Sequence, residues 1–234
     1  MWVFPLGAAV VAFAFAVALG RRFVERRRTY LGLWCAALLM YGAASLAVAI
    51  GVGWGWSRAV FEVYWILGAV LNVPLLAAGE VQLLSRNRVV ESAIWVVLAF
   101  VAAYTIAVTR GAAMDAVALT GELPSGKDVF GDGTAAYRLP QLISIPSYLI
   151  LVAGAVWSAW RMRGRPELRD RFAGTLLIVM GASITAVAGS AFAAVGNAPA
   201  FSLALLAGVA VMFWGFLRAS RTPSPAAAAD ARSG

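Results

Sequence analysis

The chain has 234 residues, of which 62% are hydrophobic and only 13% charged. An ordinary soluble domain is excluded, because so apolar a chain has too little polar surface to cover itself. The net charge of +8 invites a nucleic-acid reading, but the basic residues sit at the ends of apolar runs, so no nucleic-acid partner is expected.

Uncharged stretches run from Trp2 to Gly20, Thr29 to Ser57, Ser92 to Thr109, Leu139 to Trp160 and Phe172 to Leu217. A helix needs about 20 residues to cross about 30 Å of hydrocarbon, so each is long enough to span a bilayer. The last is long enough for two spans, and Gly196-Asn197-Ala198-Pro199 supplies the break between them. A further stretch, Ala59 to Ser85, is interrupted only by Glu62 and Glu80. The predicted architecture is therefore an all-α membrane protein, a bundle of seven transmembrane helices over about 2–20, 30–52, 59–84, 91–109, 139–160, 172–195 and 200–217. Residues 1–218 form this membrane domain. The stretch 219–234, rich in Ala and Pro, has little to bury and is expected to be a disordered cytoplasmic tail.

Between the fourth and fifth spans lies the one long connection, 110–138. Its first part, Ala112 to Leu119, is predicted to form a short interfacial helix, and Thr120 to Thr134, rich in Gly, Pro and Asp, a loop. Asp128 and Asp132 beside Gly131 and Gly133 lack the ligand series of a calcium loop.

Orientation follows from the positive-inside rule. Fifteen arginines flank the turns after the first, third, fifth and seventh spans, against Arg58, Arg110, Lys127 and Arg138 on the other side. The N-terminus is thus expected outside and the C-terminus in the cytoplasm, in the inner or plasma membrane. The first apolar run lacks a preceding positive segment, so it is expected to be retained as a helix and not removed as a secretory signal. Trp2, Trp54, Trp56, Trp95, Trp157, Trp160 and Trp214 fall near span ends, where amphipathic rings favour the interface. The preference for Arg over Lys, with abundant Ala, Gly and Val, points to a GC-rich bacterial genome.

Small residues four apart mark faces for close helix approach in lipid. Ala8, Ala12, Ala16 and Gly20 form such a strip on the first helix, and Gly181, Thr185, Gly189 and Ala193 on the sixth.

Chemistry is limited by what is missing. The chain has no His, a single Cys (Cys35) and a single Lys (Lys127) in the long loop. Imidazole bases, His-ligated haem and thiolate metal clusters are excluded. Seven spans are shared with rhodopsins and G-protein-coupled receptors, but no lysine inside the bundle can carry a Schiff base. No phosphate-binding glycine loop is present. No cofactor, metal or catalytic set is expected.

The polar residues within the spans are the candidates for ligand binding. On the third helix these are Glu62, Trp65, Asn72 and Glu80. Intramembrane carboxylates are costly and normally face protein or water. Eighteen residues make five turns at about 3.6 per turn, so Glu62 and Glu80 are expected on one inward face. Glu62 follows Arg58 by one turn and can pair with it; Glu80 can pair with Arg86 or act as a proton-linked or cation-binding carboxylate. Pro74 frees the Val70 carbonyl and can kink the helix around a pocket. On the fifth helix, Pro140 and Pro146 make the outer half irregular, and Gln141, Ser144, Ser147 and Tyr148 either line a cavity or satisfy backbone groups freed by the prolines.

Gly68-Ala69-Val70-Leu71-Asn72-Val73-Pro74 resembles segments of uncharacterised bacterial seven-helix membrane proteins, which implies an architecture and no activity. Pro140-Gln141 is similar to the motif of PQ-loop and SWEET-type transporters. The matching motif of their first helix is absent, since Pro5 here is followed by Leu6 at the opposite end, and that family is not adopted.

The expected role is a non-enzymatic one: binding a lipophilic ligand or a membrane-protein partner as a sensor or accessory subunit within the lipid bilayer. The alternative is a small proton-coupled transporter built on Glu80 and the kinked third and fifth helices.

Overall fold

A computed structural model of the chain describes residues 1–85, 87–165 and 168–220. Among the described residues there is no strand. Seven helices are long and apolar enough to cross a membrane: α1 (Val3–Arg26), α2 (Thr29–Trp54), α3 (Arg58–Leu84), α4 (Arg88–Gly111), α5 (Ala135–Met162), α6 (Arg169–Ala194) and α7 (Ala198–Ala219). Each matches a predicted span, and most run a few residues further. Hydrophobicity ends where the arginines begin, but helical hydrogen bonding continues until a cap stops it. Thus α1 carries Arg21, Arg22 and Arg26 before Arg27 turns left-handed at φ 49°. Ser57 caps α3 through Val60 N–H at 3.3 Å, Asn87 caps α4 through Val89 N–H at 2.9 Å, and Asn197 caps α7 through Ala200 N–H at 3.0 Å. The break before α7 lies where it is predicted, with Gly196 at φ 66° and Pro199 in the first turn. Of the stretch expected as a tail, Ala219 ends α7 and Ser220 follows it; residues 221–234 lie outside the described residues.

Short turns fold consecutive helices back on one another. α1 packs on α2 and α7, α2 on α3, α3 on α5, α5 on α6 and α6 on α7, so six helices close a ring. Its centre is filled by side chains: the Tyr41 hydroxyl donates to the Leu205 carbonyl at 2.8 Å, and the Tyr64 and Phe201 rings meet edge-on at 6.1 Å. α4 stands outside the ring against α3 and α5. Only 11% of its apolar stretch is buried, against 50% for α2 and α7.

Both small-residue strips lie at close contacts. Ala8, Ala12 and Ala16 are fully buried, and the Cys35 thiol of α2 reaches the Ala16 carbonyl at 3.3 Å. The strip on α6 faces α7, where a methyl group added at Gly181 would strike the Gly208 carbonyl and Met212, and one added at Gly215 would lie 2.7 Å from the Gly174 carbonyl. Such contacts let backbones touch, and dispersion across them holds helices together where lipid removes the hydrophobic drive.

Side-chain contacts define the two ends of the bundle. At one end Trp2 meets Trp54, Arg58 reaches the Arg110 carbonyl, and the long connection folds over the helices. At the other, the arginine end, Arg218 bonds Asp170 at 3.3 Å and the starts of α2, α4 and α6 converge on the end of α3.

The long connection departs from its predicted form. No helix forms over Ala112–Val117, because the Asp115 carboxylate takes the Val117 N–H at 2.8 Å in place of a backbone carbonyl; only a single 3-10 turn follows, Ala118–Thr120. A helix forms instead in the stretch expected as loop, Gly126–Phe130. Ser125 caps it through Asp128 N–H, Gly131 at φ 85° ends it, and its Val129 and Phe130 are buried. Sequence polarity signals a loop there, but capping plus two apolar side chains with a groove to fill outweigh it.

Candidate functional site

α3 holds four of the eight candidate residues, and its geometry decides how they are displayed. Between Tyr64 and Leu71 the helix widens into π turns before Asn72 resumes α geometry. The 3.6-residue arithmetic that put Glu62 and Glu80 on one face does not carry across this segment, since each π turn takes more residues. That arithmetic therefore does not set their relative facing: Glu62 meets Arg58 and Arg110, and Glu80 lies against α5.

Glu62 sits at the loop-covered end. Its Oε1 accepts from Arg58 Nε at 2.9 Å, as the one-turn spacing suggests, and Arg110 Nε lies 4.0 Å from its Oε2. Trp65 lies in an aromatic cluster with Phe61 and Phe130, at ring distances of 5.8 and 5.3 Å. Its indole rests on Gly126, leaving no room there for a side chain, and its N–H donates to the Ala136 carbonyl at 3.3 Å. That carbonyl is the one Pro140 leaves without its helical donor. Trp56 completes the seal by donating to the Glu122 carbonyl at 3.0 Å. Trp65 therefore seats the connection on the bundle.

Asn72, 4% exposed, faces α2, donating its amide to the Ala37 carbonyl at 3.3 Å. Around the proline, Val70, Leu71, Asn72 and Pro74 itself are all buried. The Val70 carbonyl freed by Pro74 is engaged by Ser144, whose hydroxyl lies 2.7 Å from the Ala69 oxygen and 3.2 Å from that of Val70. Other α5 candidates are also occupied. Ser147 bonds the Ile143 carbonyl at 2.7 Å, and Tyr148 joins Ser183 of α6 at 2.7 Å. Gln141 is exposed; with its amide turned so that the nitrogen faces the helix, it donates to the Tyr137 and Arg138 carbonyls at 2.6 and 3.0 Å.

Among the described residues Glu80 is the most enclosed carboxylate, 5% exposed. It lies against α5, where Gly154 leaves room for its chain and Ser158 donates to its Oε1 at 3.3 Å. Its expected partner Arg86 lies outside the described residues. On the opposite flank, Trp34 covers Gly79 and donates to the Leu76 carbonyl at 3.1 Å. The candidates thus do not converge. They are spread along α3 and α5, each engaged by a different neighbour.

Comparison with known proteins finds nothing: no family model, curated protein or solved structure matches the chain.

Two concave regions lie away from these residues. The first is a groove of about 400 Å³ between α4 and α5, walled by Phe100, Val101, Leu139, Leu142 and Ile143, with Tyr104 and Arg138 also on its lining. Phe100 and Tyr104, one turn apart, stack at 5.9 Å. The sequence carries a signal for it only in retrospect: large apolar residues on α4 that no helix of the ring covers. The second is a crevice of about 670 Å³ at the arginine end, lined by Arg26, Arg28, Thr29, Gln82, Glu91 and Arg171 among others.

Proposed function

We propose that this chain is a multi-pass protein of a bacterial inner or plasma membrane, N-terminus outside and C-terminus in the cytoplasm. In our reading it is a non-enzymatic module that binds a lipophilic molecule, as a sensor or as the accessory subunit of a larger assembly. The groove between α4 and α5 carries this reading. Its volume falls within the range of small-molecule sites, its walls are apolar, and one arginine and one phenol offer the few polar contacts that orient a guest. The orientation rests on the arginine distribution in the sequence. The non-enzymatic assignment rests on the absence of His, the single Cys and the separation of the two α3 carboxylates.

The test is extraction in mild detergent followed by mass spectrometry of what copurifies. The native chain is expected to retain a lipophilic molecule that Leu142→Trp, which fills the groove, releases. Equal retention by both forms, or none by either, would remove the proposal.

A second reading, proton-coupled transport, is favoured by one observation: Glu80 is enclosed between α3 and α5, two helices that both contain π turns. Flux through proteoliposomes that Glu80→Gln abolishes would favour it over the binding module.

A further inference from the structure

We infer that the crevice at the arginine end is a binding site for a phosphate-bearing anion, separate from the groove between α4 and α5. Arg26 from the end of α1, Arg28 from the turn before α2, and Arg171 from the start of α6 all line it. None of these three guanidinium groups is in an ion pair among the described residues. Among the described residues the crevice has one carboxylate, Glu91, and the Thr29 hydroxyl occupies its Oε1 at 3.2 Å. Among those residues the local balance is three positive charges to one negative.

Two further observations point the same way and do not depend on charge. The 26-residue helix α2 starts in this crevice, and no side chain caps it: Arg28 stands at the N-cap position, a residue without an acceptor on its side chain. An uncapped helix start offers N–H groups and the positive end of the helix dipole. Gln82, also on the lining, has a buried side-chain Nε2 with no acceptor among the described residues. The three guanidinium groups, the Gln82 amide and the start of α2 all supply hydrogen-bond donors to the crevice. The complementary ligand is an acceptor-rich anion, and phosphate matches the arginine fork.

Membrane topology explains why arginines gather at this end. It does not account for an amide nitrogen without an acceptor beside them. A phosphate would take up the guanidinium, amide and helix-start donors together. It can arrive on a lipid headgroup, through the crevice's open side at the helix ends, or free in solution.

The experiment uses the full chain in neutral detergent, with the rise in melting temperature measured against increasing concentrations of three probes: dioctanoyl phosphatidic acid, dioctanoyl phosphatidylcholine and inorganic phosphate. Phosphatidic acid is expected to stabilise the chain saturably and phosphatidylcholine not. If inorganic phosphate acts at comparable concentration, the ligand is the free ion; if it does not act, the ligand is a headgroup. Arg171→Gln is expected to raise the half-saturating concentration about tenfold, the loss of one charge-assisted contact. Gln82→Leu, which leaves net charge unchanged, is expected to raise it severalfold, and Arg21→Gln, at the same end but off the crevice, to leave it unchanged. Equal responses to phosphatidic acid and phosphatidylcholine, no saturable response, or equal losses in Arg21→Gln and Arg171→Gln would overturn the inference. So would wild-type affinity in Gln82→Leu.

Discussion

Polar side chains inside the bundle serve mainly to repair the backbone. Pro74 and Pro140 each leave one carbonyl without its helical donor, and in both cases a side chain from the opposite helix supplies the bond: Ser144 at Val70 and Trp65 at Ala136. This cross-bracing of α3 and α5 has a measurable cost of removal. Ser144→Ala is expected to lower unfolding free energy by about 1 to 2 kcal/mol, near the upper range for side-chain bonds in membrane proteins, because the one hydroxyl proton shared by the Ala69 and Val70 carbonyls is lost. Ser144→Thr keeps the hydroxyl and should lose less. Pro74→Ala restores the missing N–H, so the double variant should lose less than the two singles combined, a non-additivity read from unfolding in detergent. That Val70 would be freed was legible, since proline chemistry is local. Its acceptance of Ser144, 74 positions away, was not, because nothing in linear spacing brings those residues together.

At the scale of helices, what was legible is what depends on length, charge and short caps. The seven spans follow from apolar runs bounded by arginines, and the turn before α7 from Gly196, Asn197 and Pro199. The π turns of α3 left no local mark, and they upset the alignment of Glu62 with Glu80. The helix over Gly126–Phe130 was hidden because, besides its Ser125 cap, it is held by packing against Trp65, a residue of another element. Trp65→Ala is therefore expected to loosen the connection and speed tryptic cleavage after Lys127, whose side chain is already exposed but whose backbone is held in the short helix, while the membrane helices stay protected. Unchanged cleavage would mean that the indole does not hold the connection down. The α6–α7 seam makes the opposite demand, for smallness. Gly181→Leu pushes a side chain into the Gly208 carbonyl and Met212, and is expected to cost about 1 to 3 kcal/mol or more. The same change at Gly111, with open space around it, should be tolerated. Melting of the two variants in one detergent separates seam packing from a general intolerance of bulk.

At the scale of the whole molecule, six helices close a ring and α4 lies against its outside, so the molecule is lopsided: the groove opens beside α4, and the arginine crevice lies at one end. The roles proposed for both regions depend on which compartment each end faces. The arginine end carries the turns at Arg27–Arg28 and Arg163–Arg165, and the positive-inside rule assigns it to the cytoplasm. Orientation is tested with single cysteines in a Cys35→Ala background, which removes the one native thiol. Ser125→Cys lies in the connection at the loop-covered end, and Ser220→Cys just beyond α7. A membrane-impermeant maleimide applied to intact cells is expected to label Ser125→Cys, and Ser220→Cys only after the membrane is opened. Labelling of Ser220→Cys alone in intact cells would invert the molecule. The groove mouth at Arg138 would then face the cytoplasm, and the arginine crevice would meet the outer leaflet.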